Sequence, residues 1–290
     1  MSWRTVVISR NAKLDYKLDY LVVRQGEITR IHLSEISILL IESTAVSLTA
    51  ALLSELVKRK IKVIFCDEKR NPSSELIPYY GSHDTSAKVK KQIEWTAEIK
   101  RMVWTEIVTE KIRKQMELLR ALGKPEYSLL EEYIGQIQPG DITNREGHAA
   151  KVYFNALFGM KFTRTADIPI NAALNYGYGL LLSACNREIT ANGYITQLAL
   201  FHDNMFNPFN FGSDLMEPFR ILVDERVYFM QPEKFDRDEK MQMVDILNKD
   251  IVIDGKRNYV NNAMKLYCKS VFEALNEQDI SMIRFYRNEL

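Results

Sequence analysis

Tyr79-Tyr80-Gly81-Ser82-His83-Asp84 is where the fold is decided, because the hydrophobic pattern changes character across it. Upstream, apolar residues come in short runs between polar turns: Thr5 to Ile8, Tyr20 to Val23, Ile36 to Ile41 and Val63 to Phe65. Such runs, rich in β-branched residues and bounded by turn formers, read as strands. Between the last two, Leu48, Leu52, Leu53 and Val57 fall at helical spacing and lead into Lys58, Arg59 and Lys60, cations that suit a helix C-terminus. Asn71 to Ser74 reads as a turn. Downstream, Ser86 to Leu122, Thr143 to Phe158, Pro169 to Ile189 and Pro218 to Met230 show helical periodicity. The expectation is an α+β chain: a small N-terminal β-rich, sandwich-like domain over residues 1–80, a linker over 81–90, and a larger all-α catalytic domain over 91–290.

A chain of 290 residues with 46% hydrophobic content can bury a sizeable core. Its 39 basic and 38 acidic residues leave a formal charge of +1, which excludes a global cationic field as the means of holding nucleic acid. Any such contact has to come from local patches, either Lys88, Lys90 and Lys91 or Lys111, Arg113 and Lys114, although a solvated helix face gives the same pattern. Cys66, Cys185 and Cys268 are isolated and odd in number, so they lack both zinc spacing and a disulfide framework, and a reducing cytoplasm suits them. The most apolar window, Ile36 to Leu53, is interrupted by Glu42, Ser43 and Ser47, and neither an export signal nor a membrane span is read.

Three places can carry chemistry. Glu146 follows Thr143 by three residues at the start of a helical stretch, a spacing that is also a capping box; Gly147, Ala149 and Ala150 beside it leave room for a ligand. His202 ends an apolar run and opens a polar and aromatic loop, where a ligand and a capping residue look alike. In Asp214-Leu215-Met216-Glu217-Pro218-Phe219-Arg220, two carboxylates three residues apart share a face if helical, or else serve the helix dipole; Arg220 neutralises one of them or grips a phosphate. Two Glu and one His make a hard donor set suited to Mg2+ or Mn2+. His148 points away from Glu146 on a helix, and His83 lies in the linker.

Asn144-Arg-Glu-Gly-His-Ala-Ala-Lys-Val-Tyr-Phe154, Pro169-Ile-Asn-Ala-Ala-Leu-Asn-Tyr-Gly-Tyr178 and Asp214-Leu-Met-Glu-Pro-Phe-Arg220 resemble, in order and spacing, CRISPR-associated protein 1. Ser2-Trp-Arg-Thr-Val-Val7 and Tyr80-Gly-Ser-His-Asp84 look like its type II-A branch. The resemblance implies a β-rich dimerisation domain, a helical catalytic domain, and a divalent metal (Mg2+ or Mn2+) held by Glu146, His202 and Glu217. Much of the family has Asp where Glu217 stands, which leaves open whether Glu217 or Asp214 is the direct ligand. It further implies spacer acquisition: each 3′-hydroxyl of a prespacer attacks a phosphodiester at one end of the CRISPR repeat. The implied partners are double-stranded DNA, a second copy in a homodimer, and CRISPR-associated protein 2 in an assembly of two integrase dimers around one partner dimer. The type II-A effector nuclease and an accessory DNA-end-binding protein are implied helpers. Arg220, Lys88, Lys90 and Lys91 are the expected DNA contacts. Two rivals stay open here, a catalytically silent DNA scaffold and a hydrolytic metal nuclease.

Overall fold

The computed structural model describes residues 4–78 and 82–287. Tyr79, Tyr80 and Gly81, where the period changes, lie outside those residues, as do Ser2 and Trp3. Strands β1 (Arg4–Ile8), β2 (Ala12–Lys17), β3 (Tyr20–Gln25), β4 (Glu27–His32), β5 (Ile36–Ile41), β6 (Val46–Leu48), β7 (Lys62–Cys66) and β8 (Pro72–Glu75) build two four-stranded sheets. The first runs β1-β5-β7-β8, parallel except for the last pair. The second runs β4-β3-β2-β6, antiparallel except for β2 with β6. Helix α1 (Ala50–Lys58) is capped by Thr49, whose hydroxyl accepts from the Leu52 N–H at 3.3 Å, and it buries Leu52 and Leu56 against both sheets.

Strand β5 is buried along its whole length, which explains the unbroken run Ile36-Ser37-Ile38-Leu39-Leu40-Ile41. Arg4 pairs with Ile36 but Thr5 pairs with Ile38, so Ser37 is a bulge that reverses the alternation of faces. Ile36, Leu39 and Ile41 point into the core shared with the second sheet; Ile38 and Leu40, with Ile64 and Cys66 of β7, point the other way, into the helical core. The stretch Asn71 to Ser74, expected as a turn, only closes one. The Asp67 N–H donates to the Asn71 carbonyl at 2.9 Å, the Asn71 N–H donates to the Asp67 carboxylate at 2.8 Å, and Pro72 opens edge strand β8.

The helical part comprises α2 (Thr85–Glu94), α3 (Ala97–Ala121), α4 (Tyr127–Ile134), α5 (Arg145–Phe158), α6 (Pro169–Ala191), α7 (Asn210–Leu215), α8 (Arg220–Met230), α9 (Arg237–Val244) and α10 (Val260–Glu277). Helix α2 begins inside the stretch expected as linker. It stops at Glu94 because Thr96 starts α3 afresh, its hydroxyl accepting from the Ile99 N–H at 3.2 Å. A hairpin of β9 (Asp250–Ile253) and β10 (Lys256–Tyr259) is added where an all-α reading of residues 91–290 has none. Its Asp254-Gly255 turn has positive φ at both positions, as the right-handed strand twist requires. The α+β class and its order, strands first and helices after, are as expected. Among the described residues no helix is long and apolar enough to cross a membrane.

Helix α3 runs through the middle of the helical core. Trp104, Ile107, Val108, Lys111, Ile112 and Gln115 recur at helical spacing and are all buried, which places an ammonium group in the interior opposite α5 and α8.

Candidate active site

Glu146 stands in the first turn of α5, but it does not cap it. Asn144 holds the N-cap in the left-handed region (φ 53°), with its side-chain oxygen accepting from the Gly147 N–H at 3.2 Å. The buried Asp141 carboxylate accepts from the Arg145 and Glu146 N–H groups at 2.8 and 3.0 Å. With the free N–H groups of the turn served by other residues, the Glu146 carboxylate is left to project inward. Gly147 is small for a different reason from the one expected. A Cβ there would meet the Asn144 side chain at 2.7 Å, so the glycine admits the cap and not a ligand. Ala149 likewise is packed in the core.

Glu217 follows α7 and opens a single 3-10 turn before α8. Its carboxylate is 2% exposed. Glu146 and Glu217 meet at one point, the ammonium of Lys111, whose Nζ lies 2.5 Å from an oxygen of each. Burial pulls the Lys111 pKa down, but the fields of Glu217 and Glu146 outweigh it and hold the ammonium above its ordinary value. Burial in turn pushes Glu146 up, and Lys111 reverses the sign and keeps it ionised. The second Glu217 oxygen forms an ion pair with the Arg220 guanidinium at 3.1 Å. Arg220 stacks over the Tyr178 ring at 4.7 Å, and the Tyr178 hydroxyl donates to the buried Asp224 carboxylate, which Tyr153 also serves. Burial lifts Asp224 to about 6.

His202 lies in the irregular segment between α6 and α7, and Asp214 of α7 fixes it there. One Asp214 oxygen accepts from the Leu200 and Phe201 N–H groups at 2.7 and 3.0 Å; the other accepts from the His202 N–H at 3.2 Å and bonds the ring Nδ1 at 2.5 Å. The bond to Asp214 raises the imidazole pKa above its usual value, against the opposing pull of burial. Phe201 stacks flat on Trp104 at 4.6 Å, and the imidazole packs edge-on to both rings at 5.7 Å. With its proton on Nδ1, the ring keeps its Nε2 lone pair for a ligand.

A divalent ion fits this donor set. Glu217 Oε2 is buried, touches Lys111, and has no aligned hydrogen bond; Glu146 reaches the same point; His202 is oriented by a carboxylate behind it. Among the described residues no three His, Cys, Asp or Glu side chains are already gathered as a ligand cage, because Lys111 stands between the two Glu and His202 turns one nitrogen to Asp214. Asp214 is fully buried with four hydrogen bonds accepted, which makes it the support of His202.

The other candidates separate. Arg220 belongs to the cluster. Lys90 and Lys91 are exposed on α2, well removed in sequence from the carboxylates, while Lys88 pairs with Asp84 at 3.9 Å. Lys111 and Lys114 form no phosphate patch: Lys114 is buried, donates to the Tyr286 carbonyl at 2.7 Å and pairs with Glu110 at 3.2 Å. Asp224 is a member of the site that sequence reasoning passed over, Tyr178 was read only as part of a motif, and Lys111 was expected only in a phosphate patch. The helical spacing of Lys111 with Trp104 and Val108 was the available signal for the last.

The sequence model of the family described as CRISPR associated protein Cas1 matches residues 5–244. The chain belongs to the Cas1 family. It is 36% identical over 226 residues to the CRISPR-associated endonuclease Cas1 of Neisseria meningitidis serogroup C (strain 8013), covering 77% of this chain and 74% of that relative. Cas1-type structure extends to a casposase bound to integration product, which superposes with a TM-score of 0.79 over 97% of this chain and 93% of the casposase at 17% identity. A Cas6-RT-Cas1–Cas2 complex superposes with a TM-score of 0.74 at 16% identity over 97% of this chain, which spans 36% of that longer polypeptide. At these identities the two likenesses speak for the fold alone.

Proposed function

We propose that this protein inserts short DNA fragments into a CRISPR array by metal-dependent strand transfer, each fragment 3′-hydroxyl attacking a repeat phosphodiester. The observation that carries the reading is the convergence of Glu146 and Glu217 on one buried point, with His202 held by Asp214 and its Nε2 free. Glu146, His202 and Glu217 would hold Mg2+ or Mn2+, which, when bound, favours the alkoxide form of the nucleophile and offsets charge on the reacting phosphate. Glu217 is the third ligand in preference to Asp214, whose two oxygens are already used by four donors.

The remaining work falls to the chain's own groups. Arg220, 29% exposed and braced on Tyr178, is placed to steer a phosphate oxygen beside Glu217. The Trp104 and Phe201 stack keeps water from the imidazole's flank. No covalent protein intermediate is needed, and because both exchanging groups are sugar oxygens, the same site runs the reaction backwards. Kinship with the casposase fold supports strand transfer, and the likeness to a chain from a Cas1–Cas2 assembly supports a Cas2 partner. The proposed assembly is two dimers of this protein around one Cas2 dimer. Prespacer and leader-repeat duplexes are the proposed substrates, and the type II-A effector nuclease and a DNA-end-binding protein the proposed helpers. The three buried free cysteines suit the bacterial cytoplasm.

The test is resealing of a branched DNA that mimics the half-integrated product, by the purified protein with Mn2+ or with chelator. Metal-dependent joining of the broken strand, lost in Glu217→Ala while DNA binding persists, is expected. Hydrolysis without joining by folded, DNA-bound protein would reassign the site to a nuclease, and inactivity with either metal would leave a DNA scaffold.

A further inference from the structure

Lys111 has no place in the ligand set just described, yet it occupies its centre. It is 6% exposed, and its Nζ touches Glu146 and Glu217 equally. The local charges balance: two carboxylates against the Lys111 and Arg220 cations. A divalent ion entering that balance leaves a surplus of two positive charges in a buried site, so one of the cations has to withdraw. Arg220 is held by Glu217 and by the Tyr178 ring, whose hydroxyl is fixed on the Asp224 carboxylate. Among the described residues Lys111 is held at its charged end by the two carboxylates alone, on a flexible four-carbon stem.

On the reading that Glu146, His202 and Glu217 are metal ligands, we propose that Lys111 is a resident counter-cation that couples metal loading to DNA binding. In the free protein its ammonium keeps the two carboxylates together and competes with the ion. When a phosphodiester lies in the site, the displaced ammonium pairs with the phosphate, and the ion enters against half the charge surplus. DNA and ion then each tighten the other's binding by the same factor, as linkage requires. The device assembles the reactive site on DNA in preference to the empty protein.

The experiment is Mn2+ titration, followed by electron paramagnetic resonance, of wild type and Lys111→Met, each alone and with a branched duplex lacking a reactive 3′-hydroxyl. Removing one charge at contact distance from a divalent ion changes binding by at least about tenfold even in highly polar surroundings. Lys111→Met alone should therefore bind Mn2+ about tenfold or more tighter than wild type, and the gain that DNA gives wild type should be lost in the variant. Its melting temperature should fall in chelator and recover in Mn2+, because the ion takes over the ammonium's place. Equal Mn2+ affinity of the two proteins without DNA overturns the proposal and leaves the metal site standing. Failure of Lys111→Met to fold even in saturating Mn2+ also overturns it, since the ion then cannot replace the ammonium. Absence of Mn2+ binding by both proteins, or binding that survives Glu146→Gln in both, removes the metal assignment itself and the proposal with it.

Discussion

Asp214→Asn separates the support of His202 from the ligands themselves. The carboxylate accepts from the Leu200 and Phe201 N–H groups on one oxygen and from the His202 N–H and ring Nδ1 on the other. An amide has one oxygen, so its NH2 has to face one of these donor pairs. Facing Leu200 and Phe201 leaves two backbone N–H groups opposed. Facing His202 leaves one, because the ring can move its proton to Nε2 and turn Nδ1 into an acceptor. The second arrangement is the less costly, and it places a proton on the nitrogen that a metal needs. One buried N–H without a partner costs roughly 1–3 kcal/mol of stability. Loss of a carboxylate support behind a histidine ligand typically weakens metal binding ~10–100-fold. We expect a folded protein with a lowered melting temperature, Mn2+ affinity reduced within that range by electron paramagnetic resonance titration, and strand transfer reduced at limiting Mn2+. An Asn variant that binds Mn2+ as tightly as wild type would refute the assignment of Nε2 as a ligand.

Burial raises the Asp224 carboxyl from 3.8 to about 6, so its ionisation opposes folding: the protonated form's contribution is complete below pH 4 and is lost as pH rises through 6. Asp224→Asn should remove this dependence, gaining ~3 kcal/mol over wild type at pH 8 relative to pH 4 in urea unfolding; parallel pH profiles of the two proteins would show that the carboxyl is not the source. Gly177→Ala places a Cβ 2.6 Å from Val223 and Met243, and the strain between α6, α8 and α9 should lower stability by ~1–3 kcal/mol in thermal melts despite alanine's better helix propensity. Lys90→Ala and Lys91→Ala should each lower the slope of log DNA affinity against log salt by about one if α2 carries phosphate contacts, and an unchanged slope would return α2 to a solvated face.

Strands β1, β3, β5 and β7 were readable because each contains an apolar run with buried side chains. Strands β2, β4, β6 and β8 were not, since they lie with much of their surface exposed and carry charged and polar residues; Glu27 to Arg30 of β4 is exposed at every position. Such strands are made by pairing with a neighbour, which a linear reading does not see. In the site, Glu146, His202 and Glu217 were legible by residue type and motif, but their partners were not. Asp224 meets Tyr178 from 46 positions away in the sequence, and Lys111 sits in a charged cluster that reads equally as a wet surface. Nothing in local composition reveals that the Lys111 face of α3 is buried.

The Ser37 bulge has a consequence for descent as well as for packing. It sets the phase in which Ile38 and Leu40 face the helices while Leu39 and Ile41 stay with the second sheet, and β5 is thereby a party to two cores at once. Asn261 of α10 donates to the Ser37 hydroxyl at 2.5 Å and ties the far end of the chain to that same bulge. A chimaera joining the strands of one relative to the helices of another therefore inherits a mismatched seam, and substitutions on either side of it can be kept only when the other side has changed in step.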